Sequence, residues 1–173
     1  ALSVILLWWA LVPAFAAPPL MAEGLSFADA YFEAVSALTT TGAWLSYEAA
    51  IASPSSMLWR ATLQWLGGLA SLAIAAAIFI RPAFIGIDTL LPPFSRGDRN
   101  SYLKPLRNAA VSFAAVYAVV TLAAFAAMAF AGAPTLDAVI MAMTTAASGG
   151  FIPRVEGVAA YNTNVEVALF FFT

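Results

Sequence analysis

Between two long apolar segments sits one too short to cross a bilayer. Phe27 to Ala43 reads FADAYFEAVSALTTTGA, and a helix over Phe27 to Leu38 contains 12 residues. At 1.5 Å per residue it rises about 18 Å, well short of the roughly 30 Å of hydrocarbon in a membrane. Such a segment enters the membrane without crossing it. The non-helical backbone that follows, Thr39-Thr40-Thr41-Gly42, is tolerated at that depth only where protein or a water-filled cavity satisfies its peptide groups. A re-entrant loop is therefore the expected architecture. Ser26 and Asp29 fit a capping box at its start, the hydroxyl serving the third helical N–H. The C-terminal end of the helix dipole points toward the bilayer centre, where it favours a cation.

The rest of the chain belongs in the same solvent. It is 63% hydrophobic and 9% charged, with a mean hydropathy of +0.91, which places it among polytopic membrane proteins. It holds no His and no Cys, so imidazole-base, thiol and the usual zinc or haem chemistries lack their groups, and no enzyme is expected. The net charge of -2 says less than where Lys and Arg fall. Both ends lie within apolar runs, so the chain reads as an interior part of a longer protein.

In order, Ala1 to Ala22 is uncharged and holds Pro13, Pro18 and Pro19, which predicts the end of a membrane helix near Pro18. After the short helix and a polar loop, Trp44 to Ser56, a first complete span is expected over Met57 to Ile80. Its Gly67, Gly68 and Ser71 make a small-residue face suited to close packing, and Gln64 must find a partner within the bundle. Arg81 to Arg107 holds five of the seven basic residues, which predicts a cytoplasmic loop. Glu23, Asp29, Glu33 and Glu48 then lie on the outer side, an acidic mouth that concentrates cations. Ala109 to Ala131 is a second span. Thr135 to Ala146, with Asp137 near its start, reads as a second short helix, followed by Ala147-Ser148-Gly149-Gly150-Phe151, an outer loop with Arg154, Glu156 and Asn162, and a further helix start.

The two short helices suggest an internal repeat. Setting Asp29 over Asp137 brings Gly42 close to Gly149, at 13 and 12 residues from the respective Asp. Two such loops would each form one wall of a pathway on a symmetry axis. The chemistry required is replacement of a monovalent cation's lost water by backbone carbonyl oxygens. Glycine supports it because positive φ costs it nothing. Gly42 and Gly149 are the expected filter glycines. Thr39, Thr40, Thr41, Ala147 and Ser148 would contribute carbonyls, and Gly150 would permit close approach.

The runs DAYFEAVSALTTTGA, LWRATLQWLGG and DAVIMAMTTAASGGF together resemble the bacterial Trk/Ktr potassium-uptake family, in particular its TrkH-type membrane subunit. The resemblance implies an all-α polytopic membrane protein of four consecutive helix, pore-loop, helix repeats arranged pseudo-fourfold about a potassium filter. This chain would hold most of the first repeat (residues 1–80), a basic cytoplasmic loop (81–108) and the front of the second repeat (109–173). It further implies potassium as the transported ion, no cofactor, a homodimer in the bacterial inner membrane, ion-coupled or passive uptake, and a cytosolic nucleotide-binding regulatory subunit of the TrkA/KtrA type; lipid is the surrounding medium and nucleic acid is no partner. The second filter, Ala-Ala-Ser-Gly-Gly, is poorer in Thr than the first.

Other readings of the same residues remain open. The Thr run could be a helix C-terminus stopped at glycine. Arg60 could pair with Glu33 or Glu48, or extend to the interface, and a salt bridge behind the filter is the expected role of Glu33. A broken-helix carrier for another solute calls for charged or amide groups at the half-helix ends, where this chain has Thr, Ser, Ala and Gly. A membrane scaffold without transport needs no pair of half-length helices.

Overall fold

A computed structural model describes residues 2–45, 53–79 and 99–173. The described residues form helices and connecting loops, with no strand among them. They divide into two compact units, Ala1–Gly68 with Val120–Thr173, and Leu69–Val119.

The first unit opens with α1, Leu2–Ala16, which contains Pro13, and a single turn α2, Pro18–Met21. Pro18 and Pro19 start α2 rather than prevent it, because the first helical positions need no N–H donor. The half-length helix α3, Phe27–Leu38, follows, with the Ser26 hydroxyl accepting the Asp29 amide at 3.2 Å and donating to the Asp29 carboxylate at 2.7 Å. Its Ala30, Ala34 and Ala37 are fully buried. These three recur at helical spacing and form a smooth face that lets α3 lie against α1. Tyr31 donates to the Ala10 carbonyl across this contact at 3.1 Å.

Helix α4, Pro54–Phe79, begins three residues before the expected Met57. Trp59 donates its indole N–H to the Ala16 carbonyl at 3.1 Å, satisfying an acceptor at the end of α1. Ala16, Leu20, Leu38, Met57, Ala61 and Leu63 form the core where α1, α2, α3 and α4 meet, and it takes in Ile140 and Phe151 from the second repeat.

Helix α5, Arg99–Phe130, starts about one decade earlier than the span expected from Ala109. Arg99, Lys104 and Arg107 thus lie on a helix rather than in a loop. Charged residues do not oppose a helix that continues beyond the hydrocarbon, because each backbone group keeps its partner within the segment. Residues 81–98, the rest of the predicted basic loop, and Glu48 lie outside the described residues. Within α5, Ala110–Phe130 is 21 residues long and apolar enough to cross a membrane. The second half-length helix α6, Thr135–Ala146, and α7, Thr163–Phe172, close the chain. Ala124, Met128, Ala138, Met141, Ala142 and Val165 make the core of this part. Outside the cores, Phe15, Phe130 and Phe170 are 81%, 93% and 82% exposed, a surface suited to lipid or further protein rather than to water.

The second unit takes in the end of α4 and the beginning of α5, where Tyr117 is buried.

Candidate functional site

Each half-length helix ends in a tight reversal that follows from where its last amides go. The amides of Thr40 and Thr41 turn back to the carbonyls of Ala37 and Ser36 at 3.0 and 2.9 Å, and that of Gly42 also meets Ser36 at 3.4 Å. In the second copy, the amides of Ser148 and Gly149 reach the carbonyls of Thr145 and Thr144 at 2.9 and 2.8 Å. In a trans peptide the C=O opposes the N–H, and no cis bond occurs among the described residues. The carbonyls of Thr39, Thr40, Thr41, Ala147 and Ser148 are consequently directed away from the helix each follows.

The dihedrals repeat as well. Thr40 and Ser148 are left-handed at φ 56° and 55°, and Gly42 and Gly150 at 74° and 71°. Left-handed residues therefore occupy alternate positions in both loops. Thr40 and Ser148 adopt a region disfavoured for residues with a Cβ, and the helix-end hydrogen bonds hold them there.

The displacement between copies is a constant 108 residues, as from Phe27 to Thr135 and from Leu38 to Ala146. It carries Asp29 onto Asp137 and Gly42 onto Gly150. The expected pairing of Gly42 with Gly149 was one residue off: Gly149 stands at the position of Thr41. Two consecutive glycines invite this slip; an ungapped offset of 108 from Asp29 already reaches Gly150, and the left-handed φ of Gly42 and Gly150 agrees with it.

The same offset relates the two hydroxyls that hold the returning chain. Buried Ser36 accepts the Ala43 amide at 2.7 Å and donates to the Ala43 carbonyl at 2.8 Å. Its counterpart Thr144 donates to the Phe151 carbonyl at 3.1 Å. Ser36→Ala is expected to destabilise the protein by about 2 kcal/mol, since it leaves two backbone groups unpaired, and Thr144→Val by about 1 kcal/mol. Thermal unfolding in detergent distinguishes the two.

Behind the first loop lies a buried ionic cluster. Arg60 is 1% and Glu33 2% exposed. The guanidinium donates to Glu33 Oε2 through Nε at 2.8 Å and through Nη2, to Glu23 Oε2 at 3.3 Å, and to the Ser56 hydroxyl. Glu33 Oε1 accepts the Leu45 amide at 3.0 Å, so the cluster grips the segment leaving the loop. Of the partners left open for Arg60, the structure brings Glu33 to it. It adds Glu23, which sequence reasoning missed, because an acidic residue 37 positions away gives no local signal. The second copy is supported differently. Asp137 accepts from Arg154 Nε and from the Tyr161 hydroxyl at 2.8 and 2.9 Å. Burial first, then the Asp137 carboxylate, pushes the Tyr161 phenol above its ordinary range, so it stays protonated and donating at physiological pH. This triad was also missed, its members being scattered over a helix start and an outer loop.

The loops meet each other and α4. A Cβ at Gly42 would overlap the Gly149 carbonyl oxygen, and one at Gly67 would overlap the Leu38 carbonyl at the end of α3. Trp44 and Phe151, leaving the two loops, pack with ring centroids 4.3 Å apart. Beside the second loop a cavity of about 300 Å³ is lined by Thr144, Thr145, Ser148, Gly149 and Gly150 among others. Among the described residues no cluster of three or more acidic side chains could hold a metal ion, so the oxygens on offer in the loops are those of backbone and hydroxyl groups.

The family described as TrkH, cation transport protein, matches residues 6–173. The chain is 34% identical over 157 residues to the Trk system potassium uptake protein TrkI of Halomonas elongata, covering 88% of this chain and 31% of that protein. It is 29% identical over 175 residues to the Trk system potassium uptake protein TrkH of Salmonella typhimurium, covering 98% and 36%. The crystal structure of the potassium transporter TrkH from Vibrio parahaemolyticus superposes with a TM-score of 0.78 at 25% identity, over 97% of this chain and 34% of that one. The chain thus spans about a third of the length of the relatives it matches. An all-helical membrane architecture, two half-length helices followed by loops with matching left-handed residues, and a family match along nearly the whole chain lead to one conclusion: this chain belongs to the TrkH family of cation transport proteins, a family of transporters rather than enzymes.

Proposed function

We propose that the complete protein takes up potassium across the bacterial cytoplasmic membrane, and that the two loops are adjacent walls of a carbonyl-lined filter. The observation that carries this reading is the conformation shared by both loops: amides are tied back to the helix end, left-handed residues alternate, and carbonyls are turned outward from each helix. A row of carbonyl dipoles held without side-chain charge can replace the hydration of an alkali ion without trapping it. Thr39, Thr40, Thr41, Ala147, Ser148 and Gly149 supply the oxygens, while Gly42 and Gly150 supply the conformational freedom. Two walls do not enclose an axis, so further loops or a second set of repeats must complete it. The named relatives belong to Trk systems of potassium uptake; a homodimer and a cytosolic nucleotide-binding regulatory subunit are the partners that fit this reading.

The test is uptake by the complete protein in a host lacking its own potassium uptake systems. Wild type is expected to restore growth at low potassium. Gly42→Ala, strained both by φ and by the neighbouring Gly149 carbonyl, and Gly150→Ala, strained by φ alone, are expected to reduce uptake about tenfold or more, with the larger loss at Gly42. Wild-type uptake by both variants, at equal amounts in the membrane, would show that these loops do not carry the ion.

A further inference from the structure

Gln64 sits where the two loops meet. It lies on α4 in the first repeat, 0% exposed, and its Nε2 donates to the carbonyl of Gly149 in the second repeat at 3.3 Å. A Cβ at Gly42 would stand 3.4 Å from the same Nε2, and a Cβ at Gly149 would overlap the amide itself. The side chain is therefore packed beside glycines from both loops, and at Gly149 only glycine leaves room for it. Burying an amide is costly unless both its ends are bonded, yet among the described residues Oε1 has no partner. Leucine would fill the same volume without that cost.

We infer that Gln64 is a positioning residue for ion selection: it sets the separation of the two loops and orients the Gly149 carbonyl, and so decides how closely the loop oxygens can follow a small cation. This rests on the filter reading above. Alkali ions carry the same charge and differ chiefly in size, so discrimination among them depends on how firmly the coordinating dipoles are held and how many there are. A neutral amide can brace such a carbonyl from the side without adding a charge that would retain the ion. The bond also joins helix α4 of one repeat to the loop of the next, so the spacing is a property of the assembled pair rather than of either loop.

The experiment compares sodium and potassium flux through the complete protein reconstituted in liposomes. Gln64→Leu, similar in volume but without a donor, is expected to raise the sodium-to-potassium flux ratio about fivefold, the effect of one net hydrogen bond. Gln64→Ala should move the ratio the same way. Gly149→Ala, whose methyl group would displace the amide, should also raise it, and the double variant Gly149→Ala with Gln64→Ala should stay raised without a further additive increase, because both changes remove the same brace. A ratio is indifferent to how much protein is active, so a purely structural role for Gln64 would leave it unchanged. Wild-type ratios in Gln64→Leu and Gln64→Ala would overturn the proposal. Should neither variant accumulate, an unchanged ratio in Gly149→Ala overturns it instead. Failure of the filter reading shows separately, as undiminished potassium uptake by Gly42→Ala.

Discussion

Arg60→Ala is expected to lower the stability of the complete protein by about 3–5 kcal/mol, the cost of leaving the buried Glu33 carboxylate without its cation. The guanidinium is 1% exposed and bonds Glu33, Glu23 and Ser56 together. Removing it strands Glu33 at 2% exposure while that carboxylate still accepts the Leu45 amide. The damage should therefore reach the segment leaving the first loop. Arg60→Lys keeps the charge but loses the planar fork that reaches both carboxylates, and should recover only part of the loss. Replacing the pair together, Arg60→Met with Glu33→Leu, should cost less than Arg60→Ala alone, because the fully buried carboxylate leaves with its cation and only the more exposed Glu23 loses a partner. Thermal unfolding in detergent, with the double-variant cycle, measures each term. A cycle in which the two substitutions are additive would mean that the pair is not coupled.

Gly67→Ala should be nearly as damaging through packing alone. A methyl group there would overlap the Leu38 carbonyl and come within 2.6 Å of its carbon and 2.9 Å of its Cα. The obstacle is backbone at the end of α3, so no side-chain rotation relieves it. Helix α4 or the helix end must shift, at about 3 kcal/mol. Because the first loop hangs from that helix end, potassium uptake should fall with stability. Ser71→Ala, at an exposed position on the same helix, should leave both unchanged. A Gly67→Ala protein that unfolds at the wild-type temperature would show that the contact between α4 and α3 is looser than the structure describes.

The legible part of this chain was local. Phe27–Leu38 reads as a helix because Ser26 and Asp29 form its cap and Thr39-Thr40-Thr41-Gly42 stops it. Its half length then follows from counting. Gly67 reads as a packing position because small residues on membrane helices admit close neighbours. The start of α5 was misjudged because a run rich in Arg and Lys with a proline looks like a loop, although helix geometry tolerates it outside the hydrocarbon. The pairing of the two loops slipped by one residue because Gly149 and Gly150 are adjacent and identical, and the one-residue difference in spacing from Asp29 and Asp137 was passed over.

Local order thus came from the sequence itself: apolar length sets how deep each segment goes, caps set where helices begin, and hydroxyl and glycine runs set where they end. These depend on near neighbours, which a string of residues displays directly. Tertiary structure alone decided which acidic residues gather at Arg60 and that Gln64 reaches from one repeat into the other. Those contacts join residues 27 to 85 positions apart, and their partners are selected by three-dimensional proximity in a medium where an unpaired polar group is costly.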